Sequence, residues 1–100
     1  MLININEIKN QFIMNYLLAK IKNLSFAYVK EILEKDKSFY RVQGIYIENI
    51  WQNVDVDNEI YYLARIENID NTKDFIQKFQ SATLLVNPNA SVAEITYLSN

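Results

Sequence analysis

The chain has no cysteine and no histidine, and only one glycine, one proline and one tryptophan. Without cysteine there is no disulfide framework and no thiolate nucleophile. Without either residue, zinc-finger and haem-attachment motifs are excluded as well. The lack of histidine removes the one side chain that titrates near neutral pH without perturbation. A single glycine and a single proline leave little room for long flexible loops, so most of the chain should be regular structure. No apolar run approaches the roughly 20 residues needed to span a bilayer. The opening MLININEIKNQF has neither the basic n-region nor the continuous apolar h-region of a signal peptide. These absences predict a cytoplasmic protein with no membrane segment.

What is present is apolar. Hydrophobic residues make up 50% of the chain and charged residues 22%, which excludes general disorder. One hundred residues suffice for a single domain, 1–100, and not for a second core. The formal net charge of −2 argues against a broad phosphate-binding face.

Spacing of the apolar residues predicts the elements. Leu2–Ile5 reads as a short strand or as the lead-in to a helix. Asn6 is an N-cap candidate, with Glu7 in the first turn. Ile13, Leu17, Ile21 and Leu24, widened by Met14 and Leu18, give one face of a helix ending near Asn23. Ile8, Phe12 and Tyr16 add a second apolar stripe. Ser25–Leu33, rich in aromatic and β-branched residues, reads as a strand, Glu34–Lys37 as a charged turn, and Phe39–Ile47 as the return strand. The lone Gly44 then marks a bulge or bend.

With Asp55–Asn58 as a loop, the next strand pairs Trp51 with Tyr62, Ile50 with Leu63, Glu48 with Arg65 and Ile47 with Ile66, like with like and charge with countercharge. A two-residue turn at Asp57–Asn58 pairs worse at each step. The tetrapeptide IENI occurs twice, but no longer period supports a repeat. Asp70, Asn71 and Thr72 offer caps for a helix through Ser81 whose apolar face is Phe75, Ile76 and Phe79. Thr83–Val86 reads as a strand, Asn87-Pro88-Asn89 as a turn with Pro88 second, and Val92–Leu98 as the closing strand. The expected fold is α+β: helix, three-stranded antiparallel meander, helix and C-terminal β-hairpin, with the helices packed on one face of the sheet.

The acidic stretch from Asp55 to Glu59 invites a calcium reading. An EF-hand needs glycine sixth and glutamate twelfth, where this chain has Ile60 and Ile66. Glu48, Glu59, Glu67 and Asp70 form no evident acid–base pair, and there is no nucleophile motif or glycine-rich phosphate loop. No catalytic residue, metal or cofactor is therefore assigned, and the chain reads as non-enzymatic. Helix, three strands, helix is also the order of double-stranded RNA-binding domains. The second helix, however, begins Asp70-Asn71-Thr72-Lys73-Asp74, which would repel phosphate.

The remaining signal is surplus apolar surface. The expected register gives Ile47, Trp51, Tyr62 and Ile66 one face and Ile50, Val54, Tyr61 and Leu63 the other, while Phe12 and Tyr16 add to the first helix. Tryptophan and tyrosine are favoured interface anchors. The expectation is a protein-interaction or assembly module that self-associates, as a homo-oligomer, or docks on a protein partner. In outline this plan is similar to acidic dimeric secretion chaperones and to small tail-assembly proteins of phages. An alternative is an acidic inhibitor, immunity-type or anti-defence protein that masks a basic target with Asp55, Asp57 and Glu59 at a protruding tip. A second alternative is a nucleic-acid-binding domain.

Overall fold

A computed structural model describes residues 13–100. The expected positions Leu2–Ile5, Asn6, Glu7, Ile8 and Phe12 lie outside the described residues. The elements are β1 (Asn15–Lys22), α1 (Phe26–Lys35), α2 (Lys37–Val42), β2 (Ile45–Gln52), β3 (Glu59–Ile66), α3 (Ile69–Val86) and β4 (Glu94–Ser99). The strands form one open antiparallel sheet in the order β2-β3-β1-β4. The fold is α+β, as expected, but its element order differs. Strands β1 and β2 flank β3, and β3 and β4 flank β1, so two split β-α-β units interlock in the ferredoxin-like plan.

The first correction concerns 15–22, expected as helix and found as strand. Leu17 and Ile21 lie four apart, a spacing that satisfies a helical turn and the even period of a strand alike. In the strand Leu17 and Ala19 are buried, while Leu18 and Lys20 point the other way. Asn23, at φ 67°, leaves the strand in the left-handed region and donates its N–H to Asn58 O at 2.8 Å.

The second correction reverses Ser25–Leu33, expected as strand. Ser25 is an N-cap whose hydroxyl accepts from Tyr28 N–H at 3.2 Å, and α1 buries Val29 and Leu33, one turn apart, on the sheet. Aromatic and β-branched content is a weak prior that packing overrides. The expected return strand Phe39–Ile47 is divided: Lys37–Val42 is helical, and only from Ile45 does the chain extend. Gly44 makes the change of direction at φ +74°, and a Cβ there would meet Glu67 Oε2 at 3.2 Å. The positive φ is what requires glycine, and the close Glu67 carboxylate would in addition have to give by a few tenths of an ångström.

The hairpin of β2 and β3 is present, but its register is not the expected one. Trp51 faces Tyr61, Ile50 faces Tyr62, and Ile47 faces Ala64, with an irregularity at Glu48 between Ile47 and Asn49. The loop runs from Asn53 to Asn58 rather than over Asp55–Asn58 alone. A one-residue slip exchanges the faces of a strand, and the bulge at Glu48 then slips the pairing once more.

The last helix starts earlier and ends later than expected. Asn68 is its N-cap, accepting from Asn71 N–H at 2.9 Å, and Thr83–Val86 is its final turn rather than a strand. Pro88 favours an extended residue before it, and Asn87 has φ −139° and ψ 97°. Ala90 N–H closes the turn on Asn87 O at 3.0 Å, with Pro88 second as expected. The closing strand exists, but β4 pairs with β1 and not in a hairpin with 83–86.

Both long helices pack on the same side. Leu17, Ala19, Ile45, Ala64 and Ile66 are buried under Ile69, Phe75 and Ile76 of α3, and Ile60 is buried with Val29 and Leu33 of α1. Between the helices a cavity of about 180 Å³ remains, bounded by Ile32, Phe75, Phe79 and Tyr62 among others.

One polar group in this core is out of place. Thr72, in the first turn of α3, is 1% exposed, and its hydroxyl has no hydrogen-bond partner among the described residues. An unsatisfied buried hydroxyl costs about 1–3 kcal/mol, and valine has nearly the same helix propensity. Thr72→Val should therefore raise stability by about 1 kcal/mol. The check is a higher urea midpoint at unchanged slope.

Candidate interaction surface

With both long helices on one side, the other face of the sheet carries no helix among the described residues. The alternation of each strand decides what stands there. From β1 come Tyr16, Leu18 and Lys20; from β3, Tyr61, Leu63 and Arg65; from β2, Trp51; from β4, Thr96 and Leu98. Leu18 faces Leu63 at the centre, Trp51 faces Tyr61 toward the β2 edge, and Tyr16 faces both Arg65 and Leu98. Trp51 is 47% exposed and Leu98 43%. The surface is thus an aliphatic pair ringed by aromatic side chains on a rigid support.

Charges on this face neutralise one another. Lys20 Nζ lies 3.3 Å from Glu59 Oε1, and Glu59 also accepts from the Asn53 amide. Burial pushes the Glu59 carboxyl up, but the hydrogen bonds from Asn53 and Lys20 outweigh it and hold the group below its ordinary value. The hydrogen bond to Glu59 in turn raises Lys20. At the opposite end Arg65 Nε is 3.8 Å from Glu48 Oε1, the ion pair expected from the sequence although in a different register. The Arg65 guanidinium also lies over the Tyr46 ring, 4.4 Å from its centroid. Tyr46 donates its phenol proton to Glu67 Oε1 at 2.6 Å, which raises its pKa.

The sequence-predicted interface residues divide between two faces. Trp51 and Tyr16 stand on the open face. Ile47, Tyr62 and Ile66 turn inward to the core under the helices, so Trp51 and Tyr62 are not on one surface. Burial pushes the Tyr62 phenol far above its ordinary value, as expected of a core tyrosine. Phe12 lies outside the described residues. Sequence reasoning missed Leu18, which it placed in a helix, and it put Tyr61 and Leu63 on the face opposite Trp51. The one-residue change of register at the longer loop puts Tyr61 and Leu63 beside Trp51, and the bulge at Glu48 then moves Ile47 off that face into the core.

At the tip, Asp55 and Asp57 are exposed, but Glu59 is 7% exposed and engaged by Lys20 and Asn53. The loop is tied to itself. Asn53 Oδ1 accepts from Asp55 N–H at 2.9 Å, and Gln52 Nε2 donates to Val56 O at 2.9 Å. Among the described residues no three acidic side chains converge as metal ligands, and no helix is long and apolar enough to cross a membrane.

Two measurements test this geometry. Trp51→Ala should cost about 1 kcal/mol or less of folding stability because the residue is half exposed and outside the core. Tyr62→Ala should cost about 3 kcal/mol by emptying the core. Equal losses in urea denaturation would contradict the assignment of faces. For Glu59 the folded pKa lies below the unfolded value, so the unfolded chain takes up the proton first on acidification. Its contribution to stability is present above the ordinary value of 4.5 and is lost as pH falls through the lower folded value. Glu59→Gln should therefore flatten the acid limb of the stability–pH curve below about pH 4.5.

No protein-family model matches this chain, and no curated protein matches it. The chemistry of the open face is what remains to read.

Proposed function

We propose that the chain is a non-enzymatic binding module whose open sheet face docks on a protein partner. The observation that carries this reading is the cluster of half-buried Tyr16, Leu18, Tyr61 and Leu63 with exposed Trp51 and Leu98, on a face that no helix covers among the described residues and whose other side already has its core. A sheet needs one apolar face for folding, and the second is surplus. Its pattern, apolar at the centre with paired charges toward the ends, is the anatomy of a protein interface. The paired charges also bear on the partner. Lys20 is held by Glu59 and Arg65 lies beside Glu48. Lys22 is thus the one cation of this face outside an ion pair among the described residues, a thin footprint for a phosphate backbone.

A second reading has one observation in its favour. A four-stranded sheet of this plan with aromatic side chains on its open face is also how single-stranded RNA is stacked. Glu48, Glu59 and Glu94 on or beside that face oppose it. The acidic-inhibitor reading keeps only Asp55 and Asp57 at the tip, since Glu59 is engaged.

Capture from the native host with wild type and Trp51→Ala, using Leu85→Ala on α3 as control, separates the readings. The expected outcome is a protein retained by wild type and by the Leu85 variant, whose affinity falls by about 30-fold, or ~2 kcal/mol, on Trp51→Ala. Retention of single-stranded RNA with a steep salt slope would replace the protein-docking reading with the nucleic-acid one.

A further inference from the structure

Among the described residues the sheet has two edges, and they are built differently. The β2 edge is interrupted by the bulge at Glu48. Bulges, lysines and prolines are the usual devices that keep an edge from pairing with another chain. The β4 edge, Glu94-Ile95-Thr96-Tyr97-Leu98-Ser99, has none of them. Its register on β1 runs without a break from Lys20↔Glu94 to Asn15↔Ser99.

The hydrogen-bond phase of this edge follows from a single contact. Asn100 N–H donates to Met14 O at 3.2 Å, while Met14 N–H donates to Asn100 Oδ1 at 2.7 Å, so 14/100 occupies a bonded position one step beyond the β1–β4 ladder. Bonded and non-bonded pairs alternate in an antiparallel ladder. Leu98, Thr96 and Glu94 therefore turn their backbone groups toward β1, and Ser99, Tyr97 and Ile95 turn theirs outward. Just before the strand, Ala93 O is already taken by Gln80 Nε2 at 2.9 Å. The free edge thus begins at Ile95.

We propose that β4 pairs antiparallel with β4 of a second copy about a two-fold axis at Thr96, joining two four-stranded sheets into one of eight strands. A two-fold pairing must set outward residues against outward residues. Centring on Thr96 meets that condition: Ile95 faces Tyr97 of the other copy twice, as two bonded pairs, and Thr96 faces itself at the non-bonded site. Aromatic against β-branched and threonine against threonine are favourable cross-strand pairs. Glu94, beside Lys20 in its own sheet, comes opposite Leu98 of the other copy. The strand is complementary to itself in this arrangement, which points to a second copy rather than to an unrelated chain. The pairing uses backbone groups of the edge and does not depend on what docks on the open face.

The absence of cysteine makes the test direct, because Thr96→Cys carries a single thiol. A non-bonded antiparallel pair holds its Cα atoms about 4.5 Å apart, within disulfide reach. In the full chain under mild oxidation, Thr96→Cys should form a covalent dimer, while Leu98→Cys in the same register and Ser81→Cys on α3 should remain uncrosslinked. By sedimentation, Thr96→Lys and Thr96→Glu, each confirmed folded by circular dichroism, should weaken the wild-type dimer about tenfold or more, and an equimolar mixture of the two should restore it. Amide protection of Ile95 and Tyr97 should rise with protein concentration. A wild-type chain that stays monomeric at every concentration would overturn the proposal. So would protection of those amides that does not vary with concentration, which would assign the edge to another segment of the same chain. Crosslinking of Thr96→Cys no faster than of Ser81→Cys would overturn it too.

Discussion

The pairing of β1 with β3 is the constraint from which the rest of this molecule follows. Eight residues of each strand run opposite one another, from Asn15↔Ile66 to Lys22↔Glu59. Because the two strands are central, their alternation sorts every neighbour onto one of two faces. Leu17 and Ala19, with Ile60, Ala64 and Ile66, form a floor whose exposure is 2% or less, and both long helices lie on it. The same backbone positions deliver Leu18, Tyr61 and Leu63 to the other side. Core and candidate interface are thus two consequences of one register. A slip of one residue between these strands would exchange them.

That dependence explains what was legible in the sequence. The α+β class, the hairpin of β2 and β3, the apolar face of α3, the Pro88 turn and the closing strand could all be read from local signals. Each rests on residues within a few positions of one another. The parts that misled are those where local signals are degenerate. Leu17 and Ile21 fit either period, and only the burial of Ala19 between them decides for the strand. Ser25 followed by Val29 and Leu33 was a readable cap and stripe, but the aromatic content of the segment obscured it. Thr83–Val86 has strand-like composition at the end of a long helix. There continuation from the preceding turns outweighs residue preference.

The candidate site was legible as an excess and not as an address. Composition alone says that the central hairpin holds more large apolar side chains than one face can use. Which of them are surplus depends on a one-residue difference in the loop, which sets Trp51 against Tyr61, and on the extra residue Glu48, which turns Ile47 into the core. Trp51 was rightly singled out as an unusual residue, yet its expected neighbour Tyr62 belongs to the core and its actual neighbour is Tyr61. The Glu48–Arg65 ion pair survived the change of register because long side chains reach across a diagonal. Agreement on that pair is therefore weak evidence for any particular register.

The two ends of the sheet show how little is needed to separate folding from association. At one end the bulge leaves β2 irregular; at the other, β4 is regular and presents alternate backbone groups outward. Neither arrangement changes the core, since Ile95 and Tyr97 pack inward in either case. The open face is likewise dispensable for the core, which closes on the helix side alone. A chain of 100 residues with few loops has little surface to spare for function. The open face of the sheet and its β4 edge are among the parts that can vary without opening the core. If both are used, they meet at Leu98, whose side chain lies on the face while its strand forms the edge. Pairing at the edge would then place two open faces side by side and double the platform that one copy presents.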